Sequence, residues 1–288
     1  MIVRADLHLH SCVSPCGDLF MSPRQIVKTL KEKHIALAAL TDHNVALNCP
    51  AFAACCKEAG IAALYGMEAQ TAEEIHVLCL FPELQTALDF CASWYETLPN
   101  VMNKPEVTGD QVYVNERDEI IGEVEKYLIT SAPYTLDECA ELVHKAGGLV
   151  IPAHVDRPAF SMMSQLGAIV AGDWDALEFV RPHVLQERAR QSENCGKESG
   201  RTSMQRVQGS ARITNHIDVE NVRQAIAALP IVLPAPYAIT TSSDAHYVEH
   251  IGRRAFELDI GDEPLVTESG IVNLAAVRAG LERRVVHP

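Results

Sequence analysis

Short apolar runs recur along this chain, and most of them border a side chain that can bind a metal. Six runs show the pattern, and the side chains beside them are His8, His10, His43, Glu68, His76, His154, Asp244 and His246. Chance scatter would put such residues mostly in helices and loops. In parallel α/β barrels, by contrast, the carboxyl ends of the strands meet at one face and carry the active site. The runs therefore predict an α/β fold with a polar site where the strands end.

The first run contains the tightest pair of these side chains. His8 and His10 lie two positions apart in DLHLHS, residues 6–11. Residues i and i+2 of a strand point to the same side, so both imidazoles would project together from the strand end. Taken alone, the pair could be two unconnected histidines near a terminus, because histidine serves many roles. The other five runs favour a chelating pair.

The order of the predicted elements also indicates an α/β fold. Strands alternate with helices, which favours a parallel sheet with helical crossovers. Ser22 can cap the first helix and Pro23 fits its first turn, so we expect this helix to run to about His34. Further helices are predicted over residues 49–60, 84–97, 135–146, 219–229 and 271–282. The length of 288 residues suits one barrel domain over residues 1–288.

Two segments interrupt this alternation. Residues 98–132 contain short apolar stretches at 111–114 and 119–121 on either side of a polar turn, so we expect a hairpin inserted into the barrel. Residues 186–216 are polar and rich in Gly, Ser, Arg and Gln. We interpret them as a polar excursion that is either mobile or poorly packed.

The net charge bears on the choice of partner. It is −14, and such a surface would repel a nucleic-acid backbone at long range, which argues against a nucleic-acid polymer as partner. A small anionic substrate is compatible with this charge, because bound divalent metals can reverse the sign of the local field. The oligomeric state is not indicated by the sequence.

Hydropathy and cysteine usage bear on location. No apolar run reaches transmembrane length and the N-terminus lacks a signal-peptide pattern, so we expect no membrane partner. The nine cysteines are an odd number and several lie in apolar stretches, which favours buried free thiols over disulfides. These observations predict a cytoplasmic protein.

Five motifs together resemble those of the polymerase-and-histidinol-phosphatase (PHP) superfamily of metal-dependent phosphoesterases. They are DLHLHS at residues 6–11, TDHN at 41–44, GME at 66–68, AH at 153–154 and SDAH at 243–246. The motifs follow the family order and span most of the chain, and the likeness is greatest to the short stand-alone members. The resemblance implies a distorted (β/α)7 TIM-like barrel, here with the inserted hairpin, and two or three divalent transition metals, namely Mn, Fe or Zn.

The resemblance also implies which residues hold the metals. His8, His10, Glu68 and Asp244 would hold the first metal, Glu68 would bridge to a second held by His76 and His154, and Asp18, His43 and His246 would hold a third. Asp18 lies in a shifted form of the family motif and could instead cap a loop. His76 could be an ordinary strand-start histidine, although its place after Glu68 fits the second metal. Asp6 and Asp42 fit acceptors that orient neighbouring imidazoles.

Phosphate binding needs cationic side chains as well as metals. Arg157 follows His154 by three residues, and its fork of donors could clamp phosphate oxygens or pair with Asp156 or another nearby acid. Arg181 is a second candidate. The proton for the leaving oxygen could come from His246 or from a metal-bound water.

These residues predict hydrolysis of a small phosphorylated substrate, as a monoester or a diester, by a metal-bound hydroxide. The first alternative is metal-assisted hydrolysis of a C–N bond, as in amidohydrolases. Those enzymes share the barrel and the H-x-H pair but commonly use a carboxylated lysine where Glu68 stands here. The second alternative is a binding or regulatory module that keeps metals without turnover. The nearly complete set of ligands favours an enzyme.

Overall fold

The structure is a computed structural model that describes residues 1–182 and 231–287. The helix predicted over residues 219–229 and the polar excursion over 186–216 lie outside the described residues. None of the helices in the described ranges is long and apolar enough to cross a membrane.

The described residues form three sheets. In chain order the strands are β1 (Ile2–Asp6), β2 (Leu37–Leu40), β3 (Ala62–Gln70), β4 (His76–Phe81), β5 (Val112–Val114), β6 (Ile120–Glu123), β7 (Leu149–Pro152), β8 (Leu177–Glu178), β9 (Tyr237–Thr240), β10 (Phe256–Asp259) and β11 (Val285–Val286). The largest sheet has the order β10-β1-β2-β3-β4-β7, and the second has the order β11-β9-β8. The third sheet is the pair β5-β6.

Helices cover the large sheet, and several begin where local sequence signals place them. In the described residues they are α1 (Pro23–Glu32), α2 (Cys49–Ala59), α3 (Leu84–Thr97), α4 (Pro105–Thr108), α5 (Leu136–Lys145), α6 (Met162–Leu166) and α7 (Leu274–Glu282). The Ser22 side chain caps α1 by accepting a hydrogen bond from the Gln25 amide, as the sequence predicts. The last helix begins at Leu274 instead of 271, because Asn273 is its cap and accepts from the Ala276 amide.

The fold is mixed α/β, and its large sheet is not purely parallel. Strands β1, β2 and β3 are parallel, but β4 runs antiparallel to both β3 and β7, and β10 runs antiparallel to β1. The strict alternation of strands and helices predicted from the sequence is therefore wrong between β3 and β4. Only residues 71–75 join these two strands, whereas a parallel crossover needs about a dozen residues or more. Of the predicted distorted (β/α)7 barrel, the mixed α/β fold with a six-stranded sheet is confirmed, while the (β/α)7 arrangement is not confirmed within the described ranges.

Four neighbouring strands of the large sheet, β2, β3, β4 and β7, are buried on both faces, whereas β1 and β10 each have exposed residues. Leu37 and Ala39 of β2 pack in the same apolar cluster as α7, while Ala38 and Leu40 pack with α1 and α2. Successive residues of a strand point to opposite faces. A strand that is buried on both faces therefore appears in the sequence as a continuous apolar run. Within β2, β3, β4 and β7 the charged and imidazole side chains, Glu68 and His76, lie toward one end of their strands.

The segment 98–132 contains the pair β5-β6, with a turn between residues 115 and 119. It is tied to the loop after β2, because the Val114 amide donates to Asn48 Oδ1 and Asn44 Nδ2 donates to the Leu128 carbonyl. That this segment is an insertion into a barrel stays a prediction. The eight cysteines of the described residues are unpaired, and the cytoplasmic location inferred from such thiols also stays a prediction.

Candidate metal centre

Strand ends from both larger sheets meet at one end of the fold. Two parallel bridges beyond the strands hold this end together, one between Leu9 and Ala245 and one between His43 and Glu68. Eight of the nine predicted metal ligands come together here, namely His8, His10, His43, Glu68, His76, His154, Asp244 and His246. We call this cluster the centre.

Glu68 lies in the middle of the centre and is 1% exposed. Its Oε1 atom is 3.2 Å from His8 Nε2, 2.9 Å from His76 Nδ1 and 2.9 Å from His154 Nε2. Its Oε2 atom is 3.3 Å from His10 Nε2 and 3.0 Å from His43 Nδ1. One carboxylate thus faces five imidazoles, with a different set on each oxygen. This is the arrangement expected of a carboxylate that bridges metals.

Hydrogen bonds at Nδ1 orient the rings of His8 and His10. His8 Nδ1 donates to Glu178 at 3.1 Å, and His10 Nδ1 donates to Ser14 Oγ at 3.0 Å, because the Ser14 hydroxyl itself donates to Asp42 at 2.7 Å. In the neutral rings the two Nε2 atoms therefore carry lone pairs, yet they face each other at 3.1 Å. Lone pairs repel at this distance unless a proton or a metal cation lies between them. Nitrogens bound to one metal at about 2.0–2.1 Å are separated by about 3 Å.

Three buried polar atoms at the centre lack a hydrogen-bond partner in the described residues: His43 Nδ1, His154 Nδ1 and Asp244 Oδ1. His43 Nδ1 is only 3.0 Å from Glu68 Oε2, but the angles are not those of a hydrogen bond. Asp244 Oδ1 lies 3.5–3.6 Å from nitrogens of His8, His10 and His246. Buried polar groups are rarely left unpaired, so these atoms indicate a missing partner.

The charges at the centre also fit a cation. Burial alone would raise the pKa of Glu68 and Asp244, but the surrounding imidazoles hold the pKa of both carboxyls well below the usual range. Burial alone would lower the pKa of His8, but Glu178, Glu68 and Asp244 raise it well above its ordinary value. A proton on His8 would thus balance part of the buried negative charge, and a divalent cation at the centre would balance it as well.

The ligand atoms form three overlapping groups. They are His8, His10 and Glu68; His43, Glu68 and His76; and His10, His43 and His246, with the atoms of each group within 4.8 Å of one another. Imidazoles and carboxylates are the ligand types that Zn, Mn and Fe accept. The donor set and the unpaired atoms therefore fit divalent transition metals.

The Asp18 carboxylate is not brought into any of these groups. Its Oδ1 atom accepts a hydrogen bond from the Phe20 amide at 2.8 Å, as a turn-capping residue does. The Asp18 amide donates to the His246 carbonyl, so this residue supports the centre through its backbone. The geometry gives its predicted ligand role no support, and His10 stands beside His43 and His246 instead.

The two predicted phosphate-binding arginines differ in their surroundings. Arg157 lies at the mouth of the centre, where its Nη1 donates to Asp244 Oδ2 at 3.1 Å and its side chain is 39% exposed. Arg181 is engaged by Asp156, since its Nε and Nη2 donate to the Asp156 carboxylate and carbonyl. Arg157 therefore keeps its access to a ligand at the centre, while Arg181 holds a loop.

Asp6 and Asp42 act on the backbone and on hydroxyls, not directly on imidazoles as the sequence suggested. Asp6 accepts from the amide and hydroxyl of Ser243 and from the Gly252 amide. Asp42 accepts from Ser11 and from Ser14, and only through Ser14 does it reach His10. The two acids thus fix the loops that present the candidate ligands.

Glu178 contacts two residues of the centre, and the sequence did not predict it as a site residue. It ends β8, and besides its contact with His8 it accepts from the His154 amide at 3.2 Å. The signal was present in the sequence, because Glu178 is an acid inside the short apolar run 176–180.

The backbone at the centre is unusual at two candidate ligands. His154 has φ +33° and Asp244 has φ +46°, both in the left-handed region that side-chain-bearing residues seldom adopt. Such positions carry strain and concentrate at functional sites.

The chain matches a known protein family in sequence and shares its fold with solved structures. The PHP domain matches residues 6–185, and no curated protein matches in sequence. The lesion-specific endonuclease PfuEndoQ from Pyrococcus furiosus is 17% identical, with a TM-score of 0.54 over 94% of this chain and 55% of that chain. An Endonuclease Q complex with a 27-mer duplex bearing an abasic lesion at the active site is 16% identical, with a TM-score of 0.58 over 98% and 57%. This chain thus spans little more than half the length of these two proteins, and the likeness is one of fold.

These structures correct the prediction about partners. A nucleic-acid polymer was predicted not to be a partner, and this prediction is wrong, because a protein that shares this fold forms a complex with a DNA duplex that has an abasic lesion at the active site. The net charge of −14 sums over the whole surface. The field at a site depends on local groups, including bound metals. Net charge therefore neither excludes a nucleic acid nor favours a small phosphorylated molecule.

Proposed function

The chain belongs to the PHP domain family, and on this premise we propose that it is a metal-dependent hydrolase that cleaves phosphoester bonds at the centre. The main supporting observation is that five imidazole nitrogens lie within 3.3 Å of the buried Glu68 carboxylate. A structural salt bridge would need one or two partners, whereas a site for clustered metals needs many ligands around a shared oxygen donor.

We propose the following ligands. His8, His10 and Asp244 would hold one metal with Glu68, and His76 and His154 would complete a second on the other side of the same carboxylate. His43 and His246 would hold a third beside His10. When bound, such metals lower the pKa of a water ligand and stabilise the charge that develops on phosphoryl oxygens.

Arg157 would bind the phosphoryl group. Its guanidinium is partly exposed at the mouth, and its Nη1 donates to Asp244. The remaining N–H groups are therefore available to donate hydrogen bonds to a ligand. The fork of donors matches two oxygens of a phosphate at once, which aligns the group as well as attracting it. The contact to Asp244 keeps the guanidinium near the centre before substrate arrives.

His246 is better suited to hold a metal than to donate a proton. Burial, together with the charge of nearby His10, lowers its pKa to about 3. At neutral pH the ring is therefore uncharged and has a free lone pair. It has no imidazolium proton to give to a leaving oxygen.

The alternative of C–N hydrolysis gains no support from the centre. Its middle is occupied by the carboxylate of Glu68, and no lysine nitrogen lies within 4.0 Å of Glu68 or Asp244 in the described residues. A module without turnover is also less well supported, because eight of the predicted ligands are brought together.

The test is a substrate screen with purified protein after removal and return of metal. Both small phosphate esters and nucleic-acid strands carry the bond in question, so the screen includes p-nitrophenyl phosphate, bis(p-nitrophenyl) phosphate and a duplex with one abasic site. A p-nitroanilide reports C–N cleavage. We expect phosphoester turnover that disappears with chelator and returns with Mn.

A matched pair of variants guards against a contaminating phosphatase. Glu68→Gln should abolish turnover, while Glu58→Gln, at an exposed position of α2, should leave it unchanged. Turnover that survives in Glu68→Gln, or cleavage of the anilide without any phosphoester, would overturn the proposal.

A further inference from the structure

We propose that Glu178 is a positioning residue that holds His8 and His154 so that each presents a nitrogen to the metals. This inference rests on the proposed function, because it concerns how the chain holds the metals of that reaction. Glu178 itself would touch neither metal nor substrate.

The geometry of Glu178 is that of a brace between two strands. Its carboxylate approaches His8 Nδ1 with both oxygens, at 3.1 and 3.2 Å, on the side of the ring opposite Glu68. The same Oε1 accepts from the His154 amide at 3.2 Å. One side chain thus fixes the ring of one candidate ligand and the backbone of another.

The charge of Glu178 is the feature that calls for an explanation. The residue is 1% exposed, and no Lys or Arg nitrogen lies within 4.0 Å of it in the described residues. Its one ion-pair contact there is His8. An unpaired buried carboxylate is costly, so its charge must be balanced through the imidazole.

A carboxylate behind a ligating imidazole has a known physical effect. It keeps the proton on the distant nitrogen, fixes the ring plane and makes the metal-facing nitrogen more basic. His10 has only the hydroxyl of Ser14 in the equivalent place, with Asp42 one step further away. His8 is therefore the imidazole of this pair whose basicity depends directly on a negative charge.

At His154 the brace acts on the backbone. This residue has φ +33°, and its amide is held by Glu178 while its Nε2 faces Glu68 at 2.9 Å. Without the acceptor the peptide could relax and carry the ring away from the centre.

The test compares metal affinity in Glu178→Gln and Glu178→Asp with that of the parent. The glutamine oxygen can still accept hydrogen bonds, but the negative charge is lost. We expect the apparent affinity for Co(II), measured by competition with a chelator, to fall about 10- to 100-fold in Glu178→Gln. Glu178→Asp keeps the charge and should recover part of this loss. The Co(II) absorption bands should shift in Glu178→Gln, since they report the ligand field of His8.

The chain offers a matched control in a partly buried carboxylate that also contacts a histidine. Asp175 lies 3.0 Å from His144 Nε2 and 3.0 Å from Arg278 Nε, away from the centre. Asp175→Asn should leave Co(II) affinity unchanged. Thermal unfolding of each metal-free variant separates loss of folding from loss of binding.

The outcomes distinguish the two proposals. A parent protein that binds no metal contradicts the proposed function. A parent that binds metal while Glu178→Gln binds it equally well overturns only the role of Glu178, as does an equal loss in the Gln and Asp variants. If Glu178→Gln does not fold, Glu178→Asp decides: parental affinity overturns the inference, and weaker affinity with unchanged metal-free stability supports it.

Discussion

His76, the first residue of β4, pairs directly with Gln70, the last residue of β3. This register brings the His76 ring back to the centre, with Nδ1 at 2.9 Å from Glu68 Oε1 and Nε2 at 3.3 Å from Gln70 Oε1. If β4 ran parallel to β3, its first residue would lie at the opposite end of the strands, away from the centre. The tight reversal at residues 71–75 therefore supplies one imidazole of the centre.

Removing the central charge should remove the metals. In Glu68→Gln the shared carboxylate becomes a neutral amide, so the imidazoles lose the negative charge that draws cations between them. We expect metal content, measured by elemental analysis of unchelated protein, to fall by at least one ion per chain. Glu58→Gln serves as the exposed control. Parental metal content in Glu68→Gln would show that Glu68 does not bridge.

Asp18 and His246 should differ in their effect on metal content. The Asp18 carboxylate caps a turn, while the His246 ring lies in a group with His10 and His43. Asp18→Asn keeps an acceptor for the Phe20 amide and should retain all metals, whereas His246→Ala should lose one. The same measurement contradicts this expectation if Asp18→Asn is the variant that loses metal.

Arg157 should matter for phosphate and not for metal. Arg157→Ala should lower kcat/KM toward a phosphoester by about 30- to 1000-fold, equivalent to roughly 2–4 kcal/mol, as for other preorganised donors. Arg157→Lys should rescue little, because an ammonium cannot form the paired contact. Metal content should be unchanged in both variants.

Arg278 provides the control for this experiment. Its side chain is also 39% exposed and also pairs with an aspartate of low exposure, Asp175, but it lies away from the centre. Arg278→Ala should therefore keep parental kcat/KM. If Arg157→Ala turns over as fast as the parent at low substrate, the phosphate is held elsewhere, and Arg181 is the next residue to change.

The metal-free protein should lose stability on acidification through His246. Its pKa falls from an ordinary 6.5 to about 3 in the folded state. As the pH drops from 6.5, the unfolded chain takes up a proton that the folded chain refuses. The free energy of unfolding therefore falls, by at most about 1.4 kcal/mol per pH unit from this group. Urea unfolding with chelator should show a shallower loss in His246→Gln, and a steeper loss there would contradict the assignment.

The segment 186–216 should be dispensable for metal binding. All eight residues brought together at the centre lie in the ranges 1–182 and 231–287. Replacing 186–216 with a short Gly/Ser linker should leave metal content unchanged. Loss of metal from a variant that still folds would show that this segment helps to build the centre.

The sequence could predict where the candidate ligands gather, because the signal is local. A polar residue beside an apolar run marks a strand end, as for Glu68 and His154, and two residues at i and i+2 share a side, as His8 and His10 do. The direction of β4 was missed because residue patterns do not carry strand direction. The strand direction follows instead from the length of the connection, because residues 71–75 are too few for a parallel crossover.

Contacts between distant segments lay beyond the sequence. Glu178 meets His8 across 170 residues, and no local pattern reports such a pairing. The ligand role of Asp18 stays a prediction that the geometry does not support, because its carboxylate accepts from the Phe20 amide in a local turn. Net charge misled the choice of partner because it ignores where charge lies.

The left-handed backbone at His154 and Asp244 has an evolutionary consequence. At both positions glycine would relieve the strain, and it would also delete a candidate ligand. Selection for thermal stability alone, in a medium without metal, should therefore favour chains that unfold at higher temperature and have lost activity. Glycine at these two sites in related proteins would therefore mark a lineage that has kept the fold and lost the activity.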